Sequence, residues 1–82
     1  MEPLIGQCVD YIDAHGTVRD ALVTQVFPGM QGNHAGVNVV YVSGDDARKD
    51  GCGRQTERAT SVCHQSAQPA HGNYWRFKVY SN

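Results

Sequence analysis

Nowhere in these 82 residues do apolar side chains recur at the three-and-four spacing of an amphipathic helix for as long as ten positions. What recurs is alternation in short runs, each closed off by glycine, proline, asparagine or aspartate. A chain built this way must bury one face of several short strands, so it is read as all-β. The first run is Ile5 to Asp13, where Val9 and Tyr11 alternate with Asp10 and Ile12. Asp13 to Thr17 follows as a turn, with Gly16 supplying a positive φ. Arg19 to Phe27 is the second run, with Ala21, Val23 and Phe27 on one face and Leu22, Thr24 and Val26 on the other.

Pro28 to Gly36 holds three glycines and a proline and is read as a loop. Val37 to Ser43 is the most apolar run, with valines on both faces, and is predicted to be central and well covered. Gly44 to Arg54 is read as an excursion loop with room for one helical turn at Asp45 to Lys49. Gln55 to His64 is a fourth strand whose only large aliphatic is Val62, and Gln65 to Gly72 is another loop. The fifth strand, Asn73 to Tyr80, alternates most regularly. Trp75, Phe77 and Val79 are expected inside, and Tyr74, Arg76, Lys78 and Tyr80 outside. At this length a single domain over residues 1–82 is expected, and five short strands favour a small SH3-like barrel with long loops over a sandwich.

A charged share of 18%, against a typical quarter, with a hydrophobic share of 40%, describes a folded domain rather than a disordered one. The net charge of −1 gives no global case for nucleic acid. Its distribution is uneven. Arg19 is the one cation among residues 1–47, against six carboxylates, while residues 48–82 hold six cations and two carboxylates. No apolar run is long enough to span a bilayer, and Met1 to Gly6 lacks the pattern of a signal peptide, so a cytoplasmic protein with no membrane partner is expected. Three cysteines, an odd number, fit reduced thiols rather than a disulfide framework.

Three constellations could carry chemistry. Cys52, Cys63, His64 and His71, with His34 and Cys8 elsewhere, supply the ligand types zinc prefers. No C-x-x-C knuckle is present, however, and adjacent Cys63 and His64 would face opposite ways on a strand. No metal or other cofactor is therefore expected; Cys8 and Cys63 are read as small buried hydrophobes and the histidines as loop residues. Cys52, between Gly51 and Gly53 and near Arg48, Lys49 and Arg54, has cations that could activate a thiolate, but no base can be placed beside it. The chain is accordingly read as a non-enzyme. The outer row Tyr74, Arg76, Lys78 and Tyr80 alternates aromatic and basic groups, as single-strand stacking platforms do. Arg58, from the fourth strand, is grouped with that row as a binding candidate. Gly29 to Gly36 lacks the lysine and strand-to-helix context of a phosphate loop.

The segments Val9-x-Tyr11 with Gly16 and Ala21-Leu22-Val23-Thr24, then Val37-Asn38-Val39-Val40, then Thr60-Ser61-Val62-x-His64 with His71-Gly72-Asn73-Tyr74-Trp75, together cover most of the chain. Their order resembles small phage and prophage proteins of the kind also found in environmental mobile DNA. The resemblance implies an SH3-like barrel and a mobile-element origin, and it carries over no active-site residue. The expectation is a binding or structural module that engages a protein partner or a second copy of itself, with single-stranded nucleic acid as the alternative ligand.

Overall fold

The computed structural model describes residues 2–30, 32–67 and 72–79. The strands are β1 (Cys8–Ile12), β2 (Val18–Phe27), β3 (Gly36–Val42), β4 (Lys49–Asp50), β5 (Gly53–Arg54), β6 (Thr56–His64) and β7 (Tyr74–Arg76), with a 3₁₀ turn at Gln65–Ala67. Five of them close into a barrel in the order β1-β2-β3-β6-β7, and β4 and β5 form a separate two-stranded ribbon. The ring is sealed by β7, which runs antiparallel to β1, with Trp75 opposite Tyr11, and parallel to β6, with Trp75 opposite His64. This is the small all-β, SH3-like barrel that the sequence predicts.

Strand alternation fills the interior. Val9 and Tyr11 of β1, Ala21 and Val23 of β2, Val37 and Val39 of β3, Val62 of β6 and Trp75 of β7 form one buried cluster. Trp75 is wholly buried, and its indole Nε1–H donates to Ala35 O at 2.9 Å, tying β7 to the loop that precedes β3. A buried indole needs such an acceptor, and its ring contributes the largest single apolar surface in the core. Gly72 and Asn73 both have positive φ, and a side chain at Gly72 would collide with the backbone of Asp13. Only glycine lets the chain approach β1 so closely on its way into β7.

Two bulges change which residues face inward. Between Val23 and Gln25 the β2–β3 register slips by one residue, so Val26, not Phe27, packs against the core. On β6, Thr60 and Ser61 together oppose Asn38. Ser61 takes a φ of 53°, and its N–H donates to Asn38 Oδ1 at 2.8 Å. Ala59 and Val62 therefore both face the core although three positions apart.

Other expectations need correction. The outer side of β3 is not covered: Val42 is 56% exposed and Val40 half-buried, because none of the described residues packs outside the barrel there. Val79 lies beyond the last paired residue, Arg76, and is 89% exposed rather than inside. Gly44 to Arg54 holds the β4–β5 hairpin instead of a helical turn; Arg48 N–H donates to Asp45 O and closes an ordinary β-turn. Closure is completed by short pairings, β7 meeting β6 only at Cys63 and His64 and β1 only from Asp10 to Ile12. Among the described residues no helix is long and apolar enough to cross a membrane.

Candidate functional site

Inward positions continue past the apolar core, and at one end of the barrel they turn polar. Beyond Val9 and Tyr11 on the first strand's line comes Asp13. Before Ala21 and Val23 on β2 comes Arg19. Beyond Val37 and Val39 on β3 comes Tyr41, and before Ala59 on β6 comes Glu57. Register places Tyr11 opposite Arg19 and Tyr41 opposite Glu57. With Asn73, His15, Gly44 and Asp45 these side chains line a cleft of about 500 Å³ at the barrel mouth.

The floor is a pair of tyrosines with ring centroids 5.1 Å apart, tilted at 33°. Tyr11 is buried, and its hydroxyl donates to Asn73 Oδ1 at 2.6 Å. Burial, then Tyr41 and Asp13, raises the Tyr11 pKa. Burial also raises that of Tyr41, with Glu57 and Asp13 adding to it and Arg19 opposing. Both phenols are therefore neutral hydrogen-bonding groups at physiological pH.

One wall is the β1–β2 turn. Asp13 Oδ1 accepts the backbone N–H of His15 at 2.9 Å and of Thr17 at 3.0 Å, and Oδ2 accepts Arg19 Nε–H at 3.2 Å. Burial pushes the Asp13 carboxyl up, but these donors outweigh it and hold the pKa below its ordinary value. Arg19 lies across Gly44, where a Cβ would meet the guanidinium, so this glycine gives the arginine its room. Opposite, Glu57 pairs with Arg48 at 3.1 Å. Three carboxylates, Asp13, Asp45 and Glu57, outnumber one guanidinium in the lining, which leaves a formal −2, or −1 once Arg48 is included. A tyrosine floor under an excess of negative charge suits a cation.

The sequence-predicted residues lie elsewhere. Tyr74 is half-buried on β7. Arg76 Nε is 3.2 Å from Asp10 Oδ2, and Lys78 Nζ is 2.7 Å from Asp10 Oδ1 and also pairs closely with Asp20. Two cations thus face two carboxylates, and the row is electrically balanced. Burial raises the Asp10 pKa and the hydrogen bonds from Lys78 and Arg76 lower it, with a net lowering. Tyr80 and His71 lie outside the described residues. Arg58 stands apart from the row, on the far side of β6 opposite Val40.

The cysteine and histidine expectations divide. Cys8 and Cys52 are exposed and Cys63 is half-buried, because Cys8 and Cys63 occupy outward positions of their strands. His64, by contrast, is a buried strand residue. Its ring meets those of His34 at 4.3 Å and Trp75 at 4.7 Å, while Ser66 N–H donates to its Nδ1 at 3.1 Å. Among the described residues no cluster of three or more histidine, cysteine, aspartate or glutamate side chains could hold a metal ion. The cations near Cys52 are committed elsewhere, Arg54 and Lys49 to Asp46 and Arg48 to Glu57.

Sequence reasoning missed the mouth. Its trace was present, since Arg19, Asp13 and Glu57 each continue an inward period-2 line as a charged residue. In comparisons with protein-family models, curated proteins and solved structures, nothing matches this chain.

Proposed function

We propose that this chain is a non-enzymatic binding module whose barrel mouth receives a lysine or arginine side chain from a protein partner. The observation that carries this reading is the convergence of inward-facing groups from separate strands, two tyrosines and an excess of carboxylates, on one open cleft. Barrel mouths are common ligand sites because the closed sheet holds their lining rigid. A cation there gains from the tyrosine face as well as from Glu57 and Asp45. The resemblance to small phage and mobile-element proteins supplies the setting, a compact adaptor or structural part. Nucleic acid draws less support, because Arg76 and Lys78 are already neutralised by Asp10 and Asp20.

The test is titration of the protein with short peptides carrying one central arginine or lysine, followed by amide NMR shifts. Shifts centred on Tyr41, Gly44 and Glu57 are expected, and Glu57→Gln should weaken the peptide by roughly 3- to 10-fold. Shifts absent at millimolar peptide, or equal for a neutral peptide, would remove the proposal.

A further inference from the structure

The rim beside the mouth carries a second hollow, of opposite sign. Tyr41, Arg48, Thr56, Glu57 and Arg58 line a space of about 400 Å³, and Tyr41 and Glu57 also line the mouth. The two spaces therefore share a wall. Strand geometry produces this arrangement: Glu57 and Arg58 are consecutive on β6, so one faces the mouth and the other faces out. Arg48, just ahead of β4, closes the hollow with its Nε 3.1 Å from Glu57 Oε1.

The two arginines of the hollow differ. Arg48 is offset by Glu57. Arg58 is exposed, and its cross-strand neighbour is Val40, so β3 offers it no carboxylate. Every other lysine and arginine of the chain pairs with a carboxylate; among the described residues Arg58 pairs with none. The mouth lining is formally −2, from Asp13, Asp45 and Glu57 against Arg19, whereas Arg48 and Arg58 against Glu57 leave the rim hollow at +1. We propose that the partner segment is dipolar: beside the lysine or arginine that enters the mouth it carries an aspartate or glutamate, which binds Arg58 in the rim hollow. This rests on the reading of the mouth as a cation site and specifies its partner. An exposed guanidinium with open donors takes a carboxylate in a two-pronged pair. Chain geometry sets the spacing. Glu57 and Arg58 have Cα atoms about 3.8 Å apart and side chains that diverge. In an extended guest, residues two apart point to the same side about 6.6 Å from one another, which matches that divergence. A wholly basic segment would instead set a cation against Arg58, so the pair of hollows selects as well as holds.

Long-range electrostatics runs the other way: the chain carries a net −1, so overall charge favours the more basic peptide. Capped peptides with a central arginine are titrated into the full chain and followed by amide NMR. They carry glutamate two positions before the arginine, glutamate two positions after it, or glutamine at both places. One of the glutamate peptides should bind about 2- to 5-fold tighter than the glutamine peptide, the gain of one exposed ion pair, with an added shift at Arg58. Arg58→Gln should erase that difference and Arg58→Lys should keep it. Neither change should move the circular-dichroism melting curve, because the position is exposed. If the glutamine peptide shifts Tyr41, Gly44 and Glu57 but neither glutamate peptide is tighter, or if the gain survives Arg58→Gln, the dipolar partner is overturned and the cation site stands. If none of the peptides shifts the mouth, both fall.

Discussion

The two ends of the barrel use the same kinds of side chain to opposite effect. At the mouth, Tyr11 and Tyr41 sit beneath Asp13, Arg19 and Glu57, and the cleft is open to water. At the far end, where β2 and β6 finish and β3 begins, Trp75, Phe77, His34 and His64 pack edge to face, with centroids 4.3 to 5.3 Å apart in the closest pairs. The loop before β3 seals this end through Trp75 Nε1–H to Ala35 O and Asn33 N–H to Ser66 Oγ at 2.6 Å. The difference lies in compensation. Mouth charges have counter-charges and backbone donors, so they tolerate solvent and leave space. At the far end the His64 ring is packed among aromatic neighbours and burial disfavours its charged form, so that end holds together by exclusion of water.

The far end should therefore be the more fragile to truncation. Trp75→Ala is expected to lose about 3–5 kcal/mol in urea unfolding. A domain of this size has roughly 4–12 kcal/mol in total, so much of the population should unfold at 37 °C. A loss under about 1 kcal/mol would mean that Trp75 does not hold the barrel shut.

Acid should separate the two ends by pH window. Burial, with His34 adjacent, lowers the His64 pKa from its ordinary 6.5. The unfolded chain then binds the proton more readily, so His64 contributes its full stability above about pH 6.5 and loses it as pH falls below that value. The slope for one such group is at most about 1.4 kcal/mol per pH unit. Asp13 and Asp10 are shifted below ordinary carboxylates, so their contribution is present above about pH 4 and is lost only as pH falls further. Urea midpoints between pH 7.5 and 5 should fall in the wild type and fall less in His64→Asn, whose amide oxygen can still accept from Ser66 N–H. Equal slopes in the two proteins would place the acid-sensitive group elsewhere.

Glu57→Gln at the mouth should have the smallest effect, within about 0.5 kcal/mol of wild type in the same urea assay, because its partner Arg48 is well exposed. A loss of 2 kcal/mol or more would make the mouth a structural plug rather than a tolerant rim.

What could be read from the residues follows the same division. Trp75, Val9, Val37 and Val39 announce themselves by alternation, and β2, β3 and β6 lie near their predicted limits, whereas β1 and β7 are shorter than the runs Ile5 to Asp13 and Asn73 to Tyr80 because pairing, not alternation, ends a strand. The bulges do not. Thr24 and Ser61 are not glycines, and a bulge consumes one residue without a compositional mark, so Val26 was placed outside and β6 looked poor in core residues. The pairing of Arg76 and Lys78 with Asp10 joins opposite ends of the chain and has no local signature. The burial of His64 at the end of β6 has no local mark, because a lone imidazole carries no sign of the aromatic partners that bury it.

The closing contact of the ring has a kinetic consequence. Tyr11 meets Trp75 across more than sixty residues of chain, whereas β2 meets β3 across a single loop. Ordering by loop entropy makes the β2–β3–β6 meander form early and the seal through β7 form last. Just before that step the molecule has two bare strand borders and an unfilled interior. Aggregation during refolding should therefore rise with any change that delays the final seam, even one that leaves the finished barrel as stable as before.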